Sequence, residues 1–226
     1  MANMRSSPLA HALATLHPEW IEVAGMPLAA TLRDDHPGRS DKLGVCDLSG
    51  LPRVGVKGPG AAAWLAARGV PVPEQPNTWT LLEGGGVVAR LARTEFLVED
   101  GFGGRIAARL APELKPGTTG VYPVPRQDCA LALTGTVVNE LLVQTCNVDF
   151  ASQARDACIV TLTLMVGVSV TVLRQTFAGR DCWRLWCDGT SGPYLWETLT
   201  GIAAELGGGP VGLKSAFPDA QFQNLQ

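Results

Sequence analysis

The sequence predicts an α+β fold of two similar lobes, each an antiparallel sheet covered by helices. Three observations lead there. A succession of strand, helix, hairpin and helix occurs twice along the chain; a proline- and glycine-rich stretch separates the two occurrences; and 46% hydrophobic content over 226 residues is enough for a substantial core.

In the first occurrence, Arg53 to Lys57 alternates as a strand, Gly58-Pro59-Gly60 is a turn with proline near the helix start, and Ala61 to Arg68 is a helix stopped by Gly69. Val87 to Leu91 and Glu95 to Val98 form a hairpin, and a helix runs through Ile106, Ala107 and Leu110. In the second, Cys129 to Leu133 is a strand and Gly135 a turn. Val137 to Thr145 is a helix whose Val138, Leu141, Leu142 and Thr145 follow the i, i+3, i+4, i+7 spacing. Val168 to Leu173 and Cys182 to Cys187 make the second hairpin. Pro193 opens a helix carrying Leu195, Leu199 and Ile202, which Gly207-Gly208-Gly209 ends. Hairpins in place of crossovers imply largely antiparallel sheets.

The boundary between the halves is Lys115 to Arg126, rich in proline and glycine, and Pro71 to Pro76 is a second loop. The expected organisation is an N-terminal extension (1–45), a first lobe (46–120), a second lobe (121–213) and a loose tail (214–226).

Charge and composition exclude several functions. A net charge of -3, from 18 basic and 21 acidic residues without a block of one sign, provides no footprint for nucleic acid or an anionic membrane. The longest apolar run, Ile159 to Leu173, contains threonines and a serine and falls short of the ~20 residues of a spanning helix; a strand pair is expected. Pro8 to Leu16 is too short, and is interrupted by His11, for a secretory leader.

No motif carries chemistry. The three histidines, His11, His17 and His36, lie early in the chain without metal-ligand spacing, and there is no G-x-S-x-G elbow. The six cysteines lack a C-x-x-C pair and are expected as buried thiols; Cys182 and Cys187, five apart on a strand, should face opposite ways. Asp100 to Ile106 resembles a nucleotide loop but places Ile106 where the third glycine of G-x-G-x-x-G belongs. Aromatic residues cluster late: Trp183, Trp186, Tyr194 and Trp196, with Arg184 among them. Arginine beside exposed tryptophan is typical of binding hot spots, so Arg184, Trp186, Tyr194 and Trp196 are the candidate partner interface. No catalytic, cofactor-binding or metal-binding residue is assigned.

Several segments together carry a family resemblance: Ser7-Pro8-Leu9; Asp47-Leu48-Ser49-Gly50-Leu51-Pro52-Arg53 with Val56-Lys57-Gly58-Pro59-Gly60; Arg93-Thr94-Glu95-Phe96-Leu97; Gln144 to Phe150; and Trp186-Cys187-Asp188-Gly189-Thr190 with Tyr194-Leu195-Trp196-Glu197. They resemble the gamma subunit of heterotetrameric sarcosine oxidase. More distantly, Trp20 to Pro27 and Cys46-Asp47-Leu48-Ser49 are similar to the opening of the glycine-cleavage aminomethyltransferases. The resemblance implies that family's first two α+β lobes without its C-terminal barrel. It also implies a cytoplasmic four-chain complex whose large and medium subunits hold FAD, FMN, NAD and tetrahydrofolate and oxidise an N-methyl amino acid. This chain would carry no cofactor and would pack on the folate-binding part of the large subunit.

The sequence departs from the transferases. Their T-G-E-D-G loop, which supplies a glutamate to the pterin, corresponds here to Phe177-Ala178-Gly179-Arg180-Asp181, and their N-N-x-x-D segment has no counterpart around Glu95 to Gly101. The alternative is a free-standing folate-binding or one-carbon transfer protein. Against it stands the lack of the K-G-C-Y-x-G-Q-E segment of the free-standing iron-sulfur-repair relatives.

Overall fold

The computed structural model describes residues 5–154 and 156–222. A short helix α1 (Ala10–Ala14), a hairpin of β1 (Glu19–Val23) and β2 (Met26–Thr31), a helix α2 (Pro37–Leu43) and a strand β3 (Gly44–Asp47) come first. The first repeat is β4 (Arg53–Lys57), α3 (Ala61–Ala66), β5 (Thr78–Leu81), β6 (Val87–Ala92), β7 (Glu95–Glu99) and α4 (Ile106–Leu110). After β8 (Tyr122–Val124), the second repeat follows as β9 (Asp128–Thr134), α5 (Val138–Thr145), β10 (Val160–Met165), β11 (Val168–Phe177), β12 (Arg180–Asp188) and α6 (Gly192–Glu205). β13 (Gly209–Pro210) and α7 (Leu213–Ala216) close the chain. The fold is α+β, as the sequence predicts.

The two repeats have the same strand order, β5-β6-β7-β4 in one sheet and β10-β11-β12-β9 in the other. Each contains a strand more than the expected unit of strand, helix, hairpin and helix. β5 escaped because Thr78–Leu81 is half exposed and too short to establish a period; β10 is half of the strand pair read at Ile159 to Leu173.

The sheets exchange edges, which corrects the expected boundaries. β3 precedes the first repeat yet pairs antiparallel with β9, Cys46 opposite Ala132, and β8 precedes the second repeat yet pairs antiparallel with β4, Val56 opposite Pro123. The stretch 115–126 is therefore a boundary in sequence and part of the first sheet in space. Gly58, at φ +116, allows this approach: a Cβ there would stand 2.4 Å from the Gly120 carbonyl oxygen.

Apolar periodicity stacks these elements into four layers. α3 and α4 cover the outer face of the first sheet through Trp64, Leu65, Phe96 and Leu110. The inner faces meet through Ala89, Leu97, Ala130, Leu173, Cys182 and Trp186. Beneath the second sheet, α5 and α6 bury Leu141, Leu142, Leu195 and Leu199 against Leu131, Trp183 and Leu185. Cys182 and Cys187 fall in different cores, as strand alternation requires.

Among the described residues, neither terminal segment is an appendage. Leu9, Leu13, Leu28 and Leu43 of the N-terminal segment are core residues. Of the expected tail, the described residues return to the interior through their aromatic side chains: Phe217 is buried with its ring 5.1 Å from that of Phe177, and the Phe222 ring lies 5.0 Å from Phe102. The correction has a simple cause, since aromatic rings left at the open end of an inter-sheet core bury large apolar area by folding back on it.

Candidate functional site

The seam between the sheets is where the fold concentrates its polar side chains, and it relocates most of the expected interface. Arg184 (1% exposed), Trp186 (2%) and Trp196 (4%) are interior; of the four candidates only Tyr194 (54%) is on the surface, its hydroxyl donating to the Val166 carbonyl at 3.2 Å. Strand alternation does send Trp183 and Trp186 to opposite faces, but both faces of this sheet are covered, one by helices and the other by the first sheet. Local periodicity cannot report that second covering.

Arg184 and Trp186 instead reach across to Glu99 at the end of β7. The Glu99 Oε2 accepts from Trp186 Nε1 at 2.7 Å and from Arg53 Nε at 2.8 Å, while Oε1 accepts from the Arg184 guanidinium. Arg53 donates further to the carbonyls of Asp128 (2.8 Å) and Leu48 (3.1 Å). The Arg184 guanidinium lies 4.6 Å from the Phe177 ring centre and 5.0 Å from that of Trp186. With both carboxylate oxygens taken by protein donors, Glu99 is organised to join the lobes, not to abstract a proton from a substrate. Its signal in the sequence is a carboxylate directly after the apolar run Phe96-Leu97-Val98 of that strand.

The other candidate chemistries resolve locally. The glycine-rich loop after β7 carries its own anion: Asp100 accepts from the backbone N–H groups of Ala107 (2.9 Å) and Ala108 (3.0 Å), occupying the start of α4 where a phosphate would otherwise sit. Burial pushes the Asp100 carboxyl above its ordinary range. His36 caps α2, its Nδ1 accepting from the Arg39 N–H at 3.2 Å. Burial raises the thiols of Cys46 and Cys182, the latter to about 12, so neither is a ready thiolate. Cys129 stands opposite Cys187 across β9 and β12, and their mutual hydrogen bond, then burial, keeps the proton on Cys129. Among the described residues no group of three or more His, Cys, Asp or Glu is placed to hold a metal ion.

Arg180, at the hairpin tip where the transferases' acidic residue was expected, pairs with Asp41 of α2. Together with the Arg174–Asp181 pair (2.6 Å) and Trp183 it lines an open cavity of about 550 Å³. Several exposed apolar side chains lie elsewhere, along the edge strands. Leu162 (51% exposed) and Leu164 (60%) project from β10, with Leu81 and Ile159 exposed nearby where Thr78 bridges to Ile159. Among the described residues no helix is long and apolar enough to cross a membrane.

Comparison with known proteins bears on this architecture. Residues 12–217 match the family model of the GCVT N-terminal domain. No curated protein matches by sequence. Among solved structures, the glycine cleavage system aminomethyltransferase T from Bartonella henselae superposes with a TM-score of 0.66 at 18% identity, over 95% of this chain and 61% of that one. A chain of the heterotetrameric sarcosine oxidase from Corynebacterium sp. U-96, in complex with pyrrole 2-carboxylate, superposes with a TM-score of 0.64 at 18% identity, over 90% of this chain and 97% of that one. The chain thus spans about three fifths of the aminomethyltransferase it matches.

Proposed function

Because the chain belongs to the family of GCVT N-terminal domains, we propose that it serves as the non-catalytic gamma subunit of a heterotetrameric sarcosine, or N-methyl amino acid, oxidase. The observation that carries this reading is one of extent: the chain accounts for 97% of the oxidase chain it superposes on, against 61% of the aminomethyltransferase. The seam supports it. Glu99, a buried carboxylate that bridges the lobes, is saturated by Arg53, Arg184 and Trp186, which suits a scaffold.

In this reading the chain is cytoplasmic and holds no flavin, nucleotide or metal; FAD, FMN, NAD and tetrahydrofolate reside in the large and medium subunits. It braces the folate-binding part of the large subunit through its exposed apolar edge. Co-expression tests this: a tagged copy should co-elute in fixed stoichiometry with the large flavoprotein subunit of the same genome and be poorly soluble without it. A stable, monodisperse monomer that retains no flavoprotein subunit overturns the reading.

A further inference from the structure

Strand β10 ends the second sheet, and most of its outer side is open. It is joined to β11 by a two-residue turn, Val166-Gly167, with φ of +45° and +84°. This mirror-image turn closes on a hydrogen-bonded pair, here Met165 and Val168. Met165, Thr163 and Thr161 therefore direct their backbone groups to β11, while Leu164, Leu162 and Val160 turn theirs outward. Val160 shows the direction: its N–H donates to the Asn77 carbonyl at 2.8 Å, where Thr78 bridges to Ile159. Past that bridge no strand pairs with the outer side of β10, so the N–H and C=O groups of Leu162 and Leu164 have no ladder partner among the described residues.

This edge lacks the usual protection. From Cys158 to Leu173 there is no charged residue and no proline, and the register of β10 on β11 runs without a bulge. Leu162 and Leu164, both exposed, share one face, and Thr161 and Thr163 the other. An open cavity of about 440 Å³, lined in part by Leu162, Leu164, Ser169 and Thr171, adjoins the edge. Open main-chain groups beside uncharged side chains of alternating character are a template for a further strand.

We propose that β10 receives an extended segment of another polypeptide, which adds a strand to this six-stranded sheet. Main-chain bonds to Leu162 and Leu164 hold the segment, and its apolar side chains fall at the alternate positions beside those leucines. A second copy of this chain is a poor occupant. In a two-fold pair centred on Thr163, its Val166 would fall opposite Val160, where Asn77 already sits, and the Val166 N–H is committed to the Thr145 carbonyl at 2.8 Å. An open-ended segment meets no such obstacle, because it can leave the edge before Val160. The proposal deepens the subunit reading and rests on it only for which protein supplies the strand.

Residue-resolved amide exchange decides it. In the full chain co-purified with its large subunit, the Leu162 and Leu164 amides should exchange roughly a hundredfold more slowly than in the chain alone, with Thr161 and Thr163, already paired, little changed. A complex that leaves Leu162 and Leu164 as fast as in the free chain overturns strand addition while the subunit reading stands. A second probe needs no partner: a synthetic peptide alternating valine and threonine, with lysine at both ends, should bind the full chain saturably and slow the same two amides. N-methylation of its valine amides, which blocks the ladder that sets valine beside leucine, should weaken binding about tenfold or more, and N-methylation of its threonine amides should not. No saturable binding, or equal loss from both methylated peptides, overturns the proposal. So does a doubled mass with these amides already slow in the chain alone, which would give the edge to a second copy. Peptide binding with no purifiable complex sinks the subunit reading and supports this one.

Discussion

Glu99 and Arg184, each 1% exposed, form an ion pair that joins the two lobes: Glu99 ends β7 of the first sheet and Arg184 lies at the middle of β12 in the second. A pair this deep contributes little over well-packed apolar residues, but breaking it leaves a charge stranded in the interior. Glu99→Ala would leave Arg184 and Arg53 without their shared anion and the Trp186 N–H without an acceptor. The expected cost is about 3–5 kcal/mol, a fall of roughly 6–20 °C in Tm for a chain of this size. Denaturant unfolding measures it, and a loss under ~1 kcal/mol would show that the seam tolerates the unpaired arginines.

Asp47 sets a pH dependence. Fully buried, it accepts from the Ser49 N–H (2.9 Å) and the Ser7 hydroxyl (2.5 Å), yet burial outweighs these bonds and raises its carboxyl above the ordinary range. A raised folded pKa means the native state binds the proton more tightly than the unfolded chain does. That contribution to stability is full below the unfolded value of about 3.9 and is lost as pH rises through the folded one. Asp47→Asn keeps an acceptor for Ser49 and gains a donor for Ser7, so it should gain on the parent chain as pH rises from about 4 to 7. Thermal melts across that window check the sign; a parent chain that gains on the variant instead would contradict it.

Arg180 should have abolished the family's carboxylate route to the pterin. A guanidinium offers only donors where a glutamate accepts them, and here it is engaged by Asp41. Excess reduced folate should leave the melting temperature unchanged. Bound ligand at one hundred times its Kd would add about 2.7 kcal/mol, on the order of 5–11 °C. A shift of that size, lost in Arg180→Ala, would show that the site binds folate through the arginine.

Leu162 and Leu164 should govern association. Replacing both by lysine changes exposed positions on an edge strand and should alter stability by only about 1 kcal/mol, while raising the soluble yield of the isolated chain. If the subunit reading is right, capture by the large subunit should fall at least tenfold. Unchanged co-elution would place the docking surface elsewhere.

What the sequence by itself determined are the features that depend on near neighbours along the chain. The duplicated order of elements, the turn at Gly58-Pro59-Gly60, the helix Val138–Thr145 and the opposite facing of Cys182 and Cys187 all follow from side-chain periodicity and backbone preference. Tertiary structure alone decided what covers each face and which strand completes each sheet. Trp186 and Arg184 are buried because a second sheet lies over the first, β3 and β8 cross into each other's lobes, and Phe217 and Phe222 return to close the core. These depend on pairings between residues far apart in sequence: Glu99 meets Arg184 across 85 positions, a contact that no local period encodes.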